Sequence, residues 1–237
     1  MSESAAILPT EREVDTRGRL IEAALRVFSN RGIDAATLRE ITEEAGANIA
    51  AVNYYFRSKD ELTRSVLEHC LRPINEARLA ALHACIERSA GEAVAIDDIV
   101  DALVRPMVEH SIDRLGGRAA VRLLLQVRAL PRPLTNTILA EQFDQLHRLF
   151  LEALGKSLPH LSAPEIALRY DFARGAMMQI LGDLDPAARD LPGLAVSHSG
   201  LDDARVICHL RRFISEGFKA PSAEDRTSDR PSARART

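Results

Sequence analysis

The sequence predicts an all-α protein, and three observations support that prediction. Aromatic residues make up only 4% of the 237 residues and tryptophan is absent, whereas β-sheets favour aromatic and β-branched residues. Alanine, leucine, arginine and glutamate, which favour helices, are abundant instead. Apolar residues recur at intervals of three and four along most of the chain, which is the period of an amphipathic helix. We therefore expect helices packed around one or two apolar cores.

The overall composition favours no particular partner. The chain has 31 basic and 34 acidic residues, a formal net charge of -3, which excludes attraction of nucleic acid by bulk charge. The three cysteines, Cys70, Cys85 and Cys208, have neither the even number nor the C-x-x-C spacing of a disulfide framework or a zinc site. No apolar run approaches the ~18 residues of a membrane span, and the N-terminus lacks the pattern of a secretion signal. We expect a cytoplasmic protein.

Two helices are predicted first. The first is expected over residues 15–30, where apolar residues form a broad stripe, with Gly32 as its stop signal. The sequence T-L-R-E at 37–40 is a capping box, in which the threonine hydroxyl and the glutamate carboxylate each accept a hydrogen bond from the other residue's amide. A second helix should therefore begin at Leu38. Gly46 then supplies a residue that adopts positive φ without steric cost, which ends this helix.

A short third helix and a long fourth one should follow. Asn48 is expected to cap the third helix. The sequence S-K-D-E at 58–61 is another capping box, and it predicts a fourth helix that continues to about Ser89. Pro73 lies inside that pattern, where its missing amide should kink the helix, and a break into two helices is the alternative. The apolar residues expected near one face of the third helix are Ile49, Val52 and Phe56.

The rest of the chain is predicted to be helical up to a polar tail. Pro106 should kink the fifth helix. The longest irregular connection is expected at 183–200. The five remaining helices are expected at about 97–115, 118–129, 135–156, 164–182 and 202–218. The predicted organisation is a disordered leader (1–14), a first domain (15–62), a second domain (63–219) and a disordered tail (220–237).

The second and third helices have the pattern of a helix-turn-helix. In that motif the second helix of the pair presents its outer face to the major groove of DNA. Residues 45–59, AGANIAAVNYYFRSK, contain no acidic residue, although the chain as a whole is acidic. Acids are therefore kept away from the helix that would meet phosphates. The alternative is that this absence is chance and that the residues serve only to pack the core.

Side chains in this segment are suited to reading bases. Ala50 and Ala51 are small enough to let the backbone approach base edges, and the Asn53 amide can pair with adenine. Tyr54 and Tyr55 are adjacent, so both cannot be buried on the same helix face. At least one phenol should point outward.

Two other classes of protein are compatible with these residues. A helical adaptor would use outward tyrosines to bind another protein. A helical-bundle enzyme would need a reactive motif, and the sequence has no Glu-x-x-His pair, His-Glu-x-x-His, Gly-x-Ser-x-Gly or glycine-rich phosphate loop. We therefore expect no enzymatic activity, no metal and no cofactor.

Residues 16–62 resemble the DNA-binding domain of the tetracycline-repressor (TetR) family of bacterial transcriptional regulators. Three segments carry the resemblance: AALRVFSNRGIDAATLREI, AGANIAAVNYYF and RSKDEL. It implies a three-helix helix-turn-helix domain followed by a larger helical domain that binds a small apolar or amphipathic effector and forms a homodimer. Two such heads would bind a palindromic operator, most often as a repressor, with activation as the alternative. AGANIAAVNYYF and the proline in the fourth helix also resemble a fatty-acid-responsive subgroup, which implies a fatty acid or acyl derivative as effector.

Carried over by position, the resemblance assigns DNA contacts to eight residues. It places Thr37 and Arg39 on backbone phosphates. The family commonly has tyrosine where this chain has Asn53, so this position departs from the pattern. Arg17 and Arg19, expected just ahead of the first helix, are further candidates for the backbone or the minor groove. The resemblance implies that bases are faced by Ala50, Ala51, Asn53 and Tyr54, and that the other phosphate strand is held by Tyr55 and Lys59.

Polar residues within apolar helices guide the prediction of a ligand site. Arg122 and Gln126 are four residues apart and share a face suited to an anionic head group. Met177 and Met178 suit an adaptable apolar pocket. Core packing or interhelical contacts are the alternative for each. The candidate ligand-binding residues are His110, Arg122, Gln126, Arg174, Met177 and Met178, and His147 and Gln179 share the same polar character.

The resemblance also implies that the last two helices form the dimer interface. Packing within one subunit is the alternative for each apolar residue on them. The apolar positions expected at the interface are Ile166, Tyr170, Ala173, Met177, Ile180, Val206, Leu210, Phe213 and Ile214.

Overall fold

The chain is helical throughout the ranges that the structure, a computed structural model, describes: residues 11–112, 118–185 and 201–222. Within these ranges there are nine helices and no strand, which confirms the all-α prediction. Their bounds are α1 (Glu11–Arg31), α2 (Leu38–Ala45), α3 (Ile49–Phe56), α4 (Lys59–Arg88), α5 (Ile96–His110), α6 (Ala119–Ala129), α7 (Pro133–Ser157), α8 (Ala163–Asp183) and α9 (Asp203–Lys219).

Most predicted helix ends lie within two residues of the observed ones. Helix α1 is an exception, because it begins four residues before the expected start; residues 11–13 are E-R-E, a run of good helix formers. Helix α5 ends at His110 rather than near residue 115. The leader over 1–10, the connection over 186–200 and the tail over 223–237 lie outside the described residues.

Helices α1 to α3 pack with the start of α4 into a small head, whose buried side chains form one end of the core that continues into the body. The fully buried side chains of this core include Leu20 and Phe28 from α1, Ile41 from α2 and Phe56 from α3. The predicted capping box of α2 is confirmed: the Glu40 amide donates to the Thr37 hydroxyl, and the Thr37 amide donates to the Glu40 carboxylate at 2.9 Å. Local sequence signals therefore fix each helix end in the head.

Helix α4 is one uninterrupted helix from the head into the body. It runs through Pro73 without a break, so the two-helix alternative is wrong. Ser58 caps it by accepting from the Glu61 amide, but the Ser58 amide donates to the Phe56 carbonyl, and only half of the predicted capping box forms. The body packs α5 to α9 around the second half of α4. Among the described helices, none is long and apolar enough to cross a membrane.

Candidate functional site

The turn between α2 and α3 has the geometry that the sequence predicts. Gly46 adopts a left-handed conformation (φ 59°, ψ 39°), where a side chain would be strained. Its neighbour Ala47 donates from its amide to the Thr42 carbonyl at 2.9 Å, which closes the end of α2. Asn48 then caps α3, because its side-chain oxygen accepts from the Ala51 amide at 2.9 Å. The turn therefore fixes α3 against α2.

Helix α3 has a buried face and an outward face. Val52 and Phe56 are buried in the head, whereas Ala50, Asn53 and Tyr54 are exposed. The Tyr54 side chain is 71% exposed and meets the Tyr55 ring edge-on, with ring centres 4.9 Å apart. The prediction that at least one phenol points outward is confirmed. Helix α3 presents to solvent a short polar and aromatic surface without an acidic side chain.

The burial of three residues of α3 differs from what the sequence predicts. Ile49 was expected near the buried face but is half exposed, because it lies at the first position of the helix, beyond the edge of the head core. Ala51 is half-buried and packs partly against the core. Tyr55 is also half-buried, with its ring centre 6.3 Å from that of Phe56. The side chains of α3 that are available to a partner are therefore those of its outward face, Ala50, Asn53 and Tyr54.

The residues that are predicted to contact phosphates lie in different surroundings. Thr37 is exposed at the start of α2, and hydrogen bonds from its amide and hydroxyl lower the pKa of Glu40. The Arg39 guanidinium is exposed and pairs with Glu43 at 2.8 Å. Since an exposed ion pair contributes little, Arg39 can exchange its carboxylate for a phosphate. The Lys59 ammonium is held by the protein itself, donating to the carbonyls of Asp34 (3.2 Å) and Ala36 (2.6 Å).

Arg17 and Arg19 lie inside α1 rather than ahead of it, which corrects their expected position. The Arg17 guanidinium stacks over the Phe56 ring, 5.3 Å from its centre. Arg19 pairs with Asp15 at 3.2 Å and donates to the Ala45 carbonyl at 3.2 Å. Both side chains fold back onto the head, where Arg17 contacts α3 and Arg19 contacts the end of α2.

The body has a partly open cavity of about 310 Å³ between α4, α5, α6, α7 and α8. Three of the six predicted ligand residues, Arg174, Met177 and Met178, line it, as does His147. The ring of Phe143 stacks on the imidazole of His147, with 5.4 Å between the ring centres. Burial, together with the charge of Arg174, lowers the pKa of His147 to about 4. The imidazole is therefore neutral near pH 7.

Sequence reasoning missed three polar residues of this cavity, of which Asn75 and Arg78 are buried. Asn75 and Arg78 reach it from α4, and Arg128 reaches it from α6. Tyr170 was predicted at the dimer interface but is buried at the cavity wall instead. In the sequence, Arg78 is one of many charges in a long helix. The signal that was available is its position within the apolar stripe formed by Leu71, Ile74 and Leu82 of α4.

The other three predicted ligand residues lie outside the cavity. Gln126 donates to the Ser29 carbonyl at 2.7 Å. Arg122 contacts Asp185, and its other Nη lies 3.4 Å from the side-chain oxygens of Ser29 and Asn30. The shared face of Arg122 and Gln126 therefore holds the end of α1, so it joins body to head. His110 is exposed at the end of α5, with its ring nitrogen 3.1 Å from the Pro106 carbonyl, and Gln179 is exposed beside Asp183.

Helices α8 and α9 leave apolar side chains exposed, of which only Phe213 was predicted at the interface. All but two of the predicted interface positions are buried within the subunit; Ile180 is half-buried and Phe213 is 70% exposed. Leu168 and Phe172 on α8 are also exposed, and Phe172 lines a groove together with Phe213 of α9. The packing alternative therefore accounts for most of the stripe. The apolar surface formed by Leu168, Phe172 and Phe213 is what remains for a partner subunit.

A helix-turn-helix head joined by one continuous helix to a body with a partly open cavity has the architecture of a ligand-responsive transcriptional regulator. Residues 20–66 match the family model described as bacterial regulatory proteins, tetR family. Residues 101–217 match that of the tetracyclin repressor-like C-terminal domain. The chain belongs to the TetR family of transcriptional regulators, whose members bind operator DNA and small-molecule effectors as dimers and are not enzymes.

Two relatives agree with this assignment, and a solved structure shares the fold. The nicotine-responsive transcriptional repressor HdnoR of Paenarthrobacter nicotinovorans is 26% identical over 75% of this chain and 90% of its own length. The transcriptional regulator BetI of Brucella anthropi is 28% identical over 79% and 90%. The fold is similar to that of the TetR-family regulator PfmR from Thermus thermophilus, with a TM-score of 0.59 and 18% identity over 84% of this chain and 98% of that one.

Proposed function

We propose that this chain is a homodimeric repressor whose α3 helices read the two halves of a palindromic operator. The outward face of α3 supports the proposal: Asn53 and the highly exposed Tyr54 project from a helix whose opposite face is locked in the head core. One such helix reads few base pairs, whereas two related by a twofold axis read a palindrome. The apolar surface of Leu168, Phe172 and Phe213 is the proposed dimer interface. Such a protein acts in the compartment that holds the chromosome, the bacterial cytoplasm.

The proposed DNA interface consists of the residues that surround this face. Ala50, Ala51, Asn53 and Tyr54 meet bases, and Thr37, Arg39, Tyr55 and Lys59 meet phosphates. Thr37 and Arg39 support the phosphate role because both are exposed at the start of α2, where free amides favour an anion. Lys59 contributes by moving its ammonium from the Asp34 and Ala36 carbonyls to a phosphate.

The effector is proposed to be an amphipathic small molecule, with fatty acids and acyl derivatives as the candidate class. Apolar side chains and arginines together line the cavity, which suits such a molecule. Although the relative HdnoR is named for its response to nicotine, nicotine carries a basic amine. Three arginines in this cavity disfavour a cation, so the proposed effector differs from that of the relative.

Two helices connect the cavity to the head and support release by the effector. Helix α4 carries Asn75 and Arg78 in the cavity and begins at Lys59 in the head. Helix α6 presents Arg128 to the cavity and Arg122 to the end of α1. An effector that shifts either helix changes the spacing of the two heads in the dimer. The operator is then released because its half-sites no longer match.

Replacing Lys59 with alanine tests DNA binding through phosphates. The variant should bind all DNA sequences more weakly, and the slope of log K against log salt should fall by about 1 for each head. Fluorescence anisotropy with labelled operator at several salt concentrations measures this slope. Arg88→Ala, an exposed arginine at the far end of the same helix, is the matched control and should keep the wild-type slope. Equal slopes for Lys59→Ala and wild type would remove Lys59 from the interface.

Replacing Arg122 with alanine tests the contact between α6 and α1. Operator affinity is measured without effector and with saturating octanoate, a representative fatty acid. The coupling free energy between the two ligands should fall by about 0.5–2 kcal/mol, while octanoate affinity stays unchanged. Arg148→Ala, which removes an exposed arginine from α7, is expected to keep the coupling. Unaltered coupling in Arg122→Ala would show that the contact carries no signal.

A further inference from the structure

Arg78 places a positive charge in the body, and no residue within 11–112, 118–185 or 201–222 gives it a negative partner. Its side chain is 6% exposed on α4, and its guanidinium lines the cavity. Nε donates to the Leu103 carbonyl at 2.9 Å, and Nη2 lies 3.8 Å from the Met177 sulfur. Among the described residues, Arg78 forms no ion pair with a carboxylate, and Nη1 has no hydrogen-bond acceptor. Arginine is rarely buried unless it is paired.

Arg118 is a second buried arginine, and in contrast to Arg78 it pairs with a carboxylate. It is buried to about the same extent as Arg78, but its Nη2 pairs with Asp203 at 2.6 Å and its Nη1 donates to the Val108 carbonyl at 3.1 Å. Burial lowers the pKa of Arg78 only to about 10, so that Arg78 also stays charged near pH 7. No carboxylate in the described part of the chain compensates the charge of Arg78, so this charge is suited to an anionic ligand.

Two further buried polar atoms at the cavity lack partners within the described part of the chain. The Tyr170 hydroxyl is one, and Asn75 Oδ1 is the other, while the Asn75 amide group donates to the Gln142 carbonyl at 2.8 Å. Burial raises the pKa of Tyr170 to about 12, so the phenol remains a hydrogen-bond donor. Because buried polar groups are normally paired, these atoms support a polar ligand group beside Arg78.

The other charged residues of the cavity balance one another, so one negative charge would neutralise the cavity. Arg174 pairs with Asp171 at 2.7 Å. Arg128 and Asp144, both at the exposed side of the cavity, balance one another in formal charge, and His147 is neutral. Arg78 is the charge that remains without compensation. A single uncompensated guanidinium matches a monoanion rather than a dianion or a cation.

The volume of the cavity limits the size of the ligand. The cavity has a volume of about 310 Å³, which lies at the lower end of the ~300–1,000 Å³ typical of small-molecule sites. Leu71, Ile74, Phe143 and Met178 give the walls an apolar character. The body of the ligand is therefore apolar and short.

We propose that Arg78 determines effector specificity, and that the cavity binds a small monocarboxylate with an apolar body. The carboxylate accepts hydrogen bonds from the Arg78 guanidinium and the Tyr170 hydroxyl, and the apolar body lies toward Phe143 and Met178. This inference rests on the proposed effector role of the cavity. It narrows the candidate class of acyl compounds to free short acids.

Calorimetric titration of the full chain, without DNA, tests this inference. The probes are octanoate and 3-phenylpropanoate, which share the carboxylate and separate an aliphatic from an aromatic body. Octan-1-ol and octylamine replace the carboxylate by a neutral and a positive group. At least one carboxylate should bind at least tenfold more tightly than the alcohol, and the amine should not bind.

Arg78→Met should weaken carboxylate binding at least tenfold and leave binding of octan-1-ol unchanged. Arg148→Met, outside the cavity on α7, is the matched control and should bind as wild type. Tyr170→Phe keeps the buried ring, provides a second variant if Arg78→Met does not fold, and should weaken carboxylate binding severalfold.

Three results would overturn the assignment: octylamine or octan-1-ol binding as tightly as the carboxylates, wild-type carboxylate affinity in folded Arg78→Met and Tyr170→Phe, or no binding of either carboxylate. A separate outcome bears on the proposed function alone. If octanoate binds through Arg78 but does not change operator affinity, the effector role fails and the assignment of Arg78 stands.

Discussion

Replacing Phe56 with alanine is expected to lower the free energy of unfolding of the head by about 3–5 kcal/mol. The Phe56 side chain is 1% exposed at the end of α3, and Arg17 stacks over its ring at 5.3 Å. Its removal would leave a cavity that the helices of the head cannot fill. Chemical denaturation followed by circular dichroism measures the loss. Since domains are stable by only ~5–15 kcal/mol, this loss removes a large part of the stability, and operator binding should weaken in proportion to the folded fraction.

A loss below about 1 kcal/mol for Phe56→Ala would contradict the description of the head core, since large-to-small changes at buried aromatic positions cost several times more. In that case α3 would not be held by the packing of its inner face.

Replacing Tyr54 with alanine is expected to cost about 1–3 kcal/mol in specific operator binding, a loss of roughly 5- to 150-fold. The phenol lies on the outward face of the same helix, only two residues from Phe56. Stability should stay within about 0.5 kcal/mol of wild type because the side chain is exposed. Anisotropy with operator and with unrelated DNA measures the specific component.

Phe56→Ala and Tyr54→Ala form a matched pair of aromatic truncations on one helix. The first should act on folding and the second on DNA. Undiminished operator affinity in Tyr54→Ala would remove the phenol from base reading, while a large loss of stability in that variant would show that its ring supports the core.

The head could be predicted from the sequence because its signals are local. Thr37 and Glu40 form their capping box within one helical turn, and Gly46 and Asn48 fix the connection to α3 within three residues. Each signal acts on neighbours in the chain, so its geometry follows from spacing alone. The early start of α1 was missed because the charged residues at 11–13 carry no apolar period, although they favour a helix.

The cavity could not be predicted in the same way, because its residues come from five helices. The spacing of Arg122 and Gln126 correctly indicates a shared face, but spacing does not reveal which element that face meets, and it meets α1. Arg78 is distinguished by the absence of a partner among the described residues, which appears only after packing. Tyr170 fits the apolar stripe of a dimer helix, yet its ring faces into the subunit.

Selection of bound fragments from a genomic library, with the wild-type chain as bait, tests the central claim most directly. A dimer that reads DNA through two copies of α3 should recover inverted repeats whose half-sites are separated by about 10–10.5 base pairs or a multiple of that distance. Recovery of fragments without a shared sequence, or of single unpaired half-sites, would contradict this account of the protein.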